Sequence, residues 1–371
     1  MAGCKRIGIL TSGGDAPGMN AAIRAAALMG RAAGAEMFGI EEGYKGLLKD
    51  LIAPIDPAAI AHILREGGTM LGSARSKEFH EVPVRDRARA TLAKHGIDGL
   101  VIIGGNGSLT GAMKLADPAE LKGQPLNVIG IPASIDNDLA LTSLSIGVDT
   151  AMNTIVEACD KIADTATAHD RTFIVEVMGR DCGYLAMTSA IAVGADLALF
   201  PEAGKPAEAI VDQIVQTVLS IRGRQKKARK VIIIKAEGVN IHIDKLKHDV
   251  DAKLRDRAAA GEVAGIETRV TVLGHVVRGG RPSAFDRLLG SRLANVAVRA
   301  LVAGQSHKMA AWMPPVELAP EIGQRSPADP YCWLVDLATV LHETDNLLTG
   351  KSPLARWRAG AFDDIESALL L

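Results

Sequence analysis

The feature of this 371-residue sequence that most constrains its fold is a repeated unit of a short aliphatic run, a polar turn and a helix-like stretch. The runs at 6–10, 99–103 and 127–131 lead into Thr-Ser-Gly-Gly-Asp, Gly-Gly-Asn-Gly-Ser and Pro-Ala-Ser-Ile-Asp-Asn-Asp. The runs at 171–177 and 230–234 lead into Met-Gly-Arg-Asp-Cys-Gly and Lys-Ala-Glu-Gly. Such runs are typical of parallel strands that are buried on both faces. The pattern predicts a doubly wound α/β fold, whose ligands bind beyond the carboxyl ends of the strands.

Length, charge and cysteine usage narrow the class of protein. A chain of this length predicts two domains. With a net charge of -1, the protein as a whole is not attracted electrostatically to nucleic acid or to an anionic membrane, so neither is an expected partner. The four cysteines form no Cys-x-x-Cys pair, which favours buried thiols in a reducing compartment. The most apolar window, 185–200, is too short to span a bilayer, and we find no apolar stretch of the kind found in a secretory signal before the glycines at 13–14. We therefore expect a cytoplasmic protein.

Two glycine-rich turns are candidate phosphate-binding sites. The first glycine turn is 11–18, and the second glycine turn is 104–108. Glycine lets the backbone approach a phosphate, and a helix that follows the turn points free N–H groups at the anion. Neither turn matches the P-loop or the complete dinucleotide fingerprint, and each is equally consistent with tight packing.

The segment 135–138, here called the acidic turn, carries Asp136, Asn137 and Asp138 just after an aliphatic run. Phosphoryl transfer to an alcohol needs a carboxylate to take the hydroxyl proton and a metal ion to neutralise phosphate charge. Two acidic residues at this spacing could divide those tasks. A turn that only caps the next segment is an equally good interpretation of the motif alone.

Basic residues further along the chain suggest a phosphate clamp. Arg171 and Arg180 flank one aliphatic run, and Arg269, His275 and Arg278 lie along another. Arginine pairs bidentately with phosphate oxygens, although an isolated arginine is more often a surface ion-pair partner. By the same reasoning His275 could be a core histidine, and a glutamate at 237 could bind sugar hydroxyls or cap a helix.

Taken in order, these segments resemble the 6-phosphofructokinases of the phosphofructokinase A superfamily, with features of its mixed-substrate branch. The resemblance covers approximately residues 5–300. It rests on the motifs at 8–24, 67–76, 104–108, 135–138, 175–183, 235–238, 274–280 and 284–287. It implies the phosphofructokinase fold, with two Rossmann-like three-layer domains and mostly parallel sheets.

The resemblance also implies a role for each matching residue. Asp136 would be the catalytic base, Arg180 would steady the transferring phosphoryl group, and Asp138 would hold Mg²⁺. The implied phosphoryl-donor (ATP) residues are Gly14, Tyr44, Arg75, Ser76, Gly105, Asn106, Gly107, Ser108 and Gly111. The implied sugar residues are Ser134, Met178, Gly179 and Glu237, and the implied 6-phosphate residues are Arg171, Arg269, His275 and Arg278.

The same resemblance predicts domains, substrates and assembly. Residues 1–146 plus 277–330 would bind the donor, and 147–276 would bind the sugar phosphate. Beyond the part of the chain that the resemblance covers, we expect 331–371 to form a C-terminal helical tail. Fructose 6-phosphate and ATP are the expected substrates in glycolysis. In this family Arg171 and Arg269 reach a neighbouring subunit, so a homodimer or homotetramer with a shared sugar-phosphate site is expected.

Four positions bear on how well the chain fits the family pattern: Asn106, Gly107, Ala133 and Leu28. Asn106 replaces a metal-associated aspartate of the ATP users, and Leu28 stands where the allosteric bacterial enzymes carry an effector-binding arginine. In addition, Leu141 stands in a segment that usually carries glycine. Gly107 is small, as in ATP users, whereas pyrophosphate users carry aspartate there. Ala133 is neither the glycine of ATP users nor the lysine of pyrophosphate users. Two alternatives to ATP-dependent 6-phosphofructokinase therefore remain: a pyrophosphate-dependent or other sugar-phosphate kinase, and a catalytically weak regulatory homologue.

Overall fold

The structure is a computed structural model that describes residues 3–121, 125–224, 230–261, 266–314, 318–319, 321–353 and 360. The strands are β1 (Arg6–Ser12), β2 (Glu36–Ile40), β3 (Ile52–Pro54), β4 (Gly99–Gly104), β5 (Asn127–Pro132), β6 (Thr172–Val177), β7 (Leu197–Leu199), β8 (Val231–Ala236), β9 (Thr268–Val272), β10 (Lys308–Trp312), β11 (Gly323–Arg325) and β12 (Cys332–Asp336). The helices are α1 (Met19–Ala32), α2 (Gly43–Lys49), α3 (Val82–Lys94), α4 (Asn106–Leu115), α5 (Val148–Ala168), α6 (Tyr184–Val193), α7 (Ala207–Arg224), α8 (Ile243–Ala259), α9 (Ala284–Val302) and α10 (Leu337–Leu348). Short 3₁₀ turns occupy Ile63–Arg65, Lys77–His80, Pro201–Ala203 and Gly274–Arg278.

The chain divides into two compact units, and the first contains residues 1–150 and 278–347. Its described residues form an eight-stranded sheet in the order β11-β12-β10-β5-β4-β1-β2-β3. The central strands are parallel, and β3, β11 and β12 add antiparallel edges. Ser12 pairs with Gly104, and Gly104 pairs with Pro132. This register sets both glycine turns and the acidic turn side by side at one edge of the sheet.

The second unit contains residues 151–277 and 348–371. Its described part holds a four-stranded, wholly parallel sheet in the order β7-β8-β6-β9. Val177 at the end of β6 pairs with Ala236 at the end of β8. The turns that follow these two strands are therefore neighbours. The predicted α/β class with mostly parallel sheets is confirmed.

The expected helical tail at 331–371 needs a correction. Cys332–Asp336 is a strand that pairs antiparallel with β10 and β11, and only then does a helix follow at Leu337–Leu348. The apolar side chains of Cys332–Val335 are buried, which favours a strand within the sheet over a surface helix. Residues 354–359 and 361–371 of that tail lie outside the described residues.

Two expectations about the chain's environment can be compared with the structure. Cys4, Cys159, Cys182 and Cys332 are all buried thiols, as predicted. In the described part of the chain, no helix has both the length and the apolar character that crossing a membrane requires.

A buried ion cluster fixes the carboxyl end of α4. Arg85 and Arg89 are almost fully buried, and both pair with the carboxylate of Glu120. Arg89 also donates to the carbonyl oxygens of Lys114 (2.8 Å) and Leu115 (2.9 Å). These bonds satisfy carbonyls that have no partner within their own helix. The hydrogen bond from Arg85, followed by that from Arg89, lowers the pKa of Glu120 to about 2.

We expect Glu120→Gln to lower the free energy of unfolding at pH 7 by about 2 kcal/mol, because two buried guanidiniums lose the carboxylate that they share and Arg89 keeps only its pair with Asp86. The folded-state pKa of Glu120 lies below its usual value. Its stabilisation is therefore complete above about pH 4.5 and is lost as the pH falls toward 2. Urea unfolding at pH 7 and pH 3 measures the difference. Glu157→Gln, which removes an exposed pair with Lys161, should change stability by less than ~0.5 kcal/mol. If the difference in free energy of unfolding between wild type and Glu120→Gln is larger at pH 3 than at pH 7, this account is wrong.

Candidate active site

The first glycine turn follows β1 and borders a cavity of about 410 Å³ within the first unit. Gly13 has a φ of 89°, in the left-handed region that favours glycine. A Cβ atom on Gly14 would lie 2.5 Å from Nη1 of Arg278, so glycine leaves room for that guanidinium where it lies. Arg278 Nη1 also donates to the carbonyl oxygen of Asp15 (3.2 Å). The turn therefore places a cation in the cavity wall.

The second glycine turn ends at the amino terminus of α4 and lines the same cavity. Gly105 is the N-cap residue of this helix, so the free N–H groups of its first turn are suited to binding an anion. Ser108 Oγ donates to the carbonyl oxygen of Ser12 (2.8 Å), which joins the two glycine turns. Among the described residues, no atom beyond the neighbouring backbone of its own helix lies within 4 Å of the place that a Cβ on Gly107 would occupy. A ligand can therefore approach this backbone closely.

Tyr44 supports the second glycine turn from behind. Its hydroxyl donates to the carbonyl oxygen of Ser108 (2.5 Å), and its ring stacks on Phe79 at 4.2 Å. A Cβ on Gly111 would lie 2.8 Å from the Tyr44 ring, so glycine lets α4 pack against it. Burial raises the pKa of the Tyr44 phenol well above its usual value. Tyr44 lines the cavity, but its hydroxyl is engaged with the turn.

The acidic turn brings two carboxylates to this cavity. Asp136, Asp138 and Ser134 all line it, directly beyond the carboxyl end of β5. Ser134 Oγ donates to Oδ1 of Asp138 at 2.6 Å, which orients that carboxylate. Asp136 and Asp138 therefore face the same space as both glycine turns.

Asn137 holds the acidic turn in shape. Its φ is 49°, a left-handed conformation that asparagine tolerates better than most residues. Its side-chain amide donates to the carbonyl oxygen of Ser143 and accepts from the amide of Ser145, each at 3.0 Å. Leu141 also has a positive φ, 57°, in the segment where the resembling family usually carries glycine. Leucine therefore adopts a left-handed conformation in the loop after the acidic turn.

Asp286 anchors the far end of this loop. Its buried carboxylate accepts from the amides of Gly147 and Thr150, each at 2.8 Å, and from Oγ1 of Thr150. The backbone N–H of Asp286 donates to Oγ of Ser283 at 3.1 Å. Burial raises the pKa of Asp286. The segment between the acidic turn and α5 is thus tied to the start of α9.

Five basic side chains among the described residues line the cavity, and the sequence predicted only two of them as site residues. Arg75 and Arg278 were predicted to bind substrates, whereas Lys77, His80 and Lys114 were not. One signal could have identified Lys114: residues 107, 111 and 114 lie on one face of a helix at i, i+4 and i+7. Lys77 and His80 lie in a short 3₁₀ turn that carries no comparable pattern. The excess of cations over the two carboxylates suits a polyphosphate.

In the second unit, the turns after β6 and β8 lock together. The amide of Glu237 donates to the carbonyl oxygen of Val177 (2.9 Å), and that of Gly238 to Gly179 (3.1 Å). Gly179 has a φ of 126°. A Cβ on Gly238 would lie 1.8 Å from the carbonyl oxygen of Arg180, so this approach requires glycine. The predicted sugar residues Met178, Gly179, Arg180 and Glu237 are therefore adjacent.

Arg171 and Arg269 lie at the other end of the same sheet. Arg171 immediately precedes β6, and Arg269 pairs with Phe173 near the start of that strand. Both arginines contact Glu267. At about 3.3 Å per residue, β6 separates Arg171 from the turn that holds Arg180 by roughly 20 Å. Arg269, opposite Phe173, lies roughly 13 Å from the same end of the strand. His275 is exposed in the turn Gly274–Arg278.

Apart from His275, the predicted site residues fall into three groups within their units. The cavity of the first unit is lined by Gly14, Tyr44, Arg75, Ser76, Gly105, Asn106, Gly107, Ser108, Gly111, Ser134, Asp136, Asp138 and Arg278. Arg278 was expected with the 6-phosphate residues but contacts the first glycine turn. The sugar group and the Arg171–Arg269 pair occupy opposite ends of the second unit's sheet.

The parallel central strands of the first unit and the cavity beyond their carboxyl ends define an α/β protein with a site suited to phosphates. A family model described as phosphofructokinase matches residues 6–301. An ATP-dependent 6-phosphofructokinase of Vibrio cholerae is 45% identical over 300 residues, which are 81% of this chain and 87% of that protein. One from Natranaerobius thermophilus is 45% identical over 305 residues, 82% of this chain and 88% of that protein. The chain belongs to the phosphofructokinase family.

Solved structures agree with this assignment. Phosphofructokinase from Pichia pastoris, in the T-state, superposes with a TM-score of 0.79 at 34% identity. The match covers 100% of this chain but 40% of the yeast chain, so this chain spans less than half of that protein's length. A pyrophosphate-dependent phosphofructokinase from Marinobacter aquaeolei has a TM-score of 0.72 at 22% identity, which shows a shared fold.

Proposed function

We propose that this chain transfers the γ-phosphoryl group of ATP to the 1-hydroxyl of fructose 6-phosphate and yields fructose 1,6-bisphosphate, a reaction of glycolysis. The observation that carries the proposal is the common cavity of Asp136, Asp138 and both glycine turns. The names of the relatives at 45% identity support the choice of substrates. Asp136 takes the proton of the sugar 1-hydroxyl, and the hydroxyl oxygen bonds to the γ-phosphorus of ATP. At the same time the bond from that phosphorus to the oxygen of the leaving ADP breaks.

The cavity supports ATP as the donor. Backbone N–H groups at the start of α4 donate hydrogen bonds to phosphate oxygens of ATP, and Arg75 and Arg278 balance the negative charge of these phosphates. The open space beside Gly107 admits a nucleotide, because no side chain projects there. We assign donor binding to the first unit, and sugar binding to the turns after β6 and β8 of the second.

Asp138 is the residue that we propose for Mg²⁺. No group of three or more metal-binding side chains occurs among the described residues, so they form no all-protein metal cage. Such a cage is not required, since Mg²⁺ is usually held by one or two carboxylates together with substrate phosphates. The oriented carboxylate of Asp138 fits that arrangement. The bound ion would neutralise charge on the phosphates of ATP.

Asn106 begins α4 on the wall of this cavity, where it offers a neutral amide. We expect Asn106→Asp to lower the Mg²⁺ concentration for half-maximal rate by about tenfold, because a carboxylate binds this hard cation better than an amide does. A magnesium titration of the initial rate at saturating ATP tests this. Asn153→Asp, on α5 outside the cavity, is the matched control. An unchanged or higher half-saturation point would show that the site does not use a carboxylate at position 106.

The second unit provides the groups for the sugar. We assign Met178, Gly179 and Glu237 to sugar contacts and Arg180 to the transferring phosphoryl group. Because Arg171 and Arg269 lie roughly 13–20 Å along the sheet from the turn that holds Arg180, we infer that one hexose phosphate does not contact both groups within this unit. This separation supports a homo-oligomer, dimer or tetramer, in which the pair binds the 6-phosphate of a neighbouring copy.

A donor and acceptor panel tests the proposed function. Purified protein is assayed with ATP, pyrophosphate or no donor, and with fructose 6-phosphate or sedoheptulose 7-phosphate, over a range of Mg²⁺ concentrations. We expect fructose 1,6-bisphosphate from ATP and fructose 6-phosphate, with kcat/KM for each alternative at least tenfold lower. Turnover from pyrophosphate alone would reassign the donor. No turnover with any pair would favour a regulatory homologue.

The buried thiols fit a reducing cytoplasm, which we propose as the location.

A further inference from the structure

Glu267 bridges the two arginines to which we assign the sugar 6-phosphate. Its Oε2 lies 3.2 Å from Nε of Arg171. Its Oε1 pairs with Nη2 of Arg269. Each oxygen of one carboxylate thus contacts a different guanidinium.

The backbone of the second unit dictates this arrangement. Thr172 pairs with Thr268 in the parallel register of β6 and β9, so the residues just before them, Arg171 and Glu267, are neighbours. The amide of Thr172 donates to the carbonyl oxygen of Glu267 (3.4 Å). Glu267 and Arg269 are two residues apart, so their side chains leave the same face of the strand. Sheet register therefore brings all three side chains together.

Electrostatics explain why a carboxylate is suited to this position. Two guanidiniums that converge on one phosphate repel each other when the phosphate is absent. Glu267 opposes that repulsion. A guanidinium carries five N–H donors, so each arginine keeps donors for a phosphate beside its contact with Glu267. Its side chain is 50% exposed, which leaves the cluster open to an incoming ligand.

We propose that Glu267 is a positioning residue of the 6-phosphate site, which holds Arg171 and Arg269 at the separation that one phosphate group needs. Glu267 itself makes no bond to the sugar phosphate, because both are anions. Its contribution is to keep the two cations converged before substrate arrives. This inference rests on the proposed function, since the phosphate is that of the proposed acceptor.

The test measures binding and turnover in Glu267→Gln, which keeps the shape of the side chain and removes its charge. We expect the Kd for fructose 6-phosphate, from titration calorimetry, to rise about tenfold, and KM for this substrate to rise equally. The Kd for ATP and kcat should stay within twofold. Glu157→Gln, which removes an exposed helical pair with Lys161, should alter neither Kd. Glu267→Asp, which restores the charge on a shorter side chain, should recover at least half of the lost binding free energy.

A substrate without the phosphate separates positioning from a general structural effect. Fructose should be bound or turned over equally, however weakly, by wild type and Glu267→Gln. An equal loss with fructose, or an unchanged or lower Kd for fructose 6-phosphate, would overturn the proposal. Wild-type protein that binds fructose 6-phosphate without phosphorylating it would contradict the proposed function alone, and the comparison of Kd values would still decide the role of Glu267.

Discussion

Asp136→Asn is expected to lower kcat about 10³-fold while KM for ATP and fructose 6-phosphate changes less than threefold. The amide has the shape of the carboxylate but cannot take the proton of the 1-hydroxyl, and general base catalysis is worth 10²–10⁴-fold. The loss belongs to the chemical step, so kcat and kcat/KM should fall together. Steady-state kinetics at saturating Mg²⁺ measure it.

Asp164→Asn is the control for this substitution, because Asp164 is an exposed aspartate on α5 outside every predicted site. Its kinetics should match those of wild type. If Asp136→Asn keeps more than a tenth of wild-type kcat, another group removes the proton, and the assignment of Asp136 as base is wrong. The melting temperature of each variant, measured in parallel, distinguishes a catalytic loss from unfolding.

Gly238→Ala is expected to lower kcat/KM for fructose 6-phosphate about 10²-fold and to destabilise the protein by about 3 kcal/mol. A Cβ at this position would lie 1.8 Å from the carbonyl oxygen of Arg180, so backbone must move. Overpacking of this kind costs about 1–3 kcal/mol, and a displacement near 1 Å can reduce catalysis 10²-fold. Kinetics with varied sugar phosphate and urea unfolding measure the two effects.

Gly223→Ala provides the comparison, since no atom lies within 4 Å of its Cβ position in α7. Alanine there should raise stability slightly, because it is a better helix former than glycine, and should leave kinetics unchanged. If Gly238→Ala instead retained wild-type kinetics, the turns after β6 and β8 would not be part of the sugar site.

Much of the fold followed from local sequence patterns. The aliphatic runs before the glycine turns and the acidic turn became β1, β4 and β5, because β-branched and aliphatic side chains are stable on both faces of a buried sheet. The same reasoning failed at 331–371. Cys332–Asp336 lacks a polar turn of the kind that marked the other strands, and its place in the sheet depends on pairing with β10 and β11.

Candidate site residues were predictable where each followed a strand in a recognisable motif, as Asp136 and Gly105 do. Lys77 and His80 were not, because a cation in an irregular segment has no sequence pattern that reveals which cavity it lines. The role of Glu267 could not be predicted from the sequence either, because its contacts with Arg171 and Arg269 depend on the register of β6 and β9.

The repeated unit of aliphatic run, polar turn and helix by itself determined the α/β class and the edge of the sheet where ligands bind. These are consequences of local propensity and of the geometry of parallel strands, in which carboxyl ends align. Only the tertiary structure decided that Arg278 reaches the first glycine turn, across 263 positions of sequence to Asp15. It also decided that Arg171 and Arg269 lie far from Arg180 along the sheet. Such contacts depend on how the whole chain packs, and no local pattern encodes them.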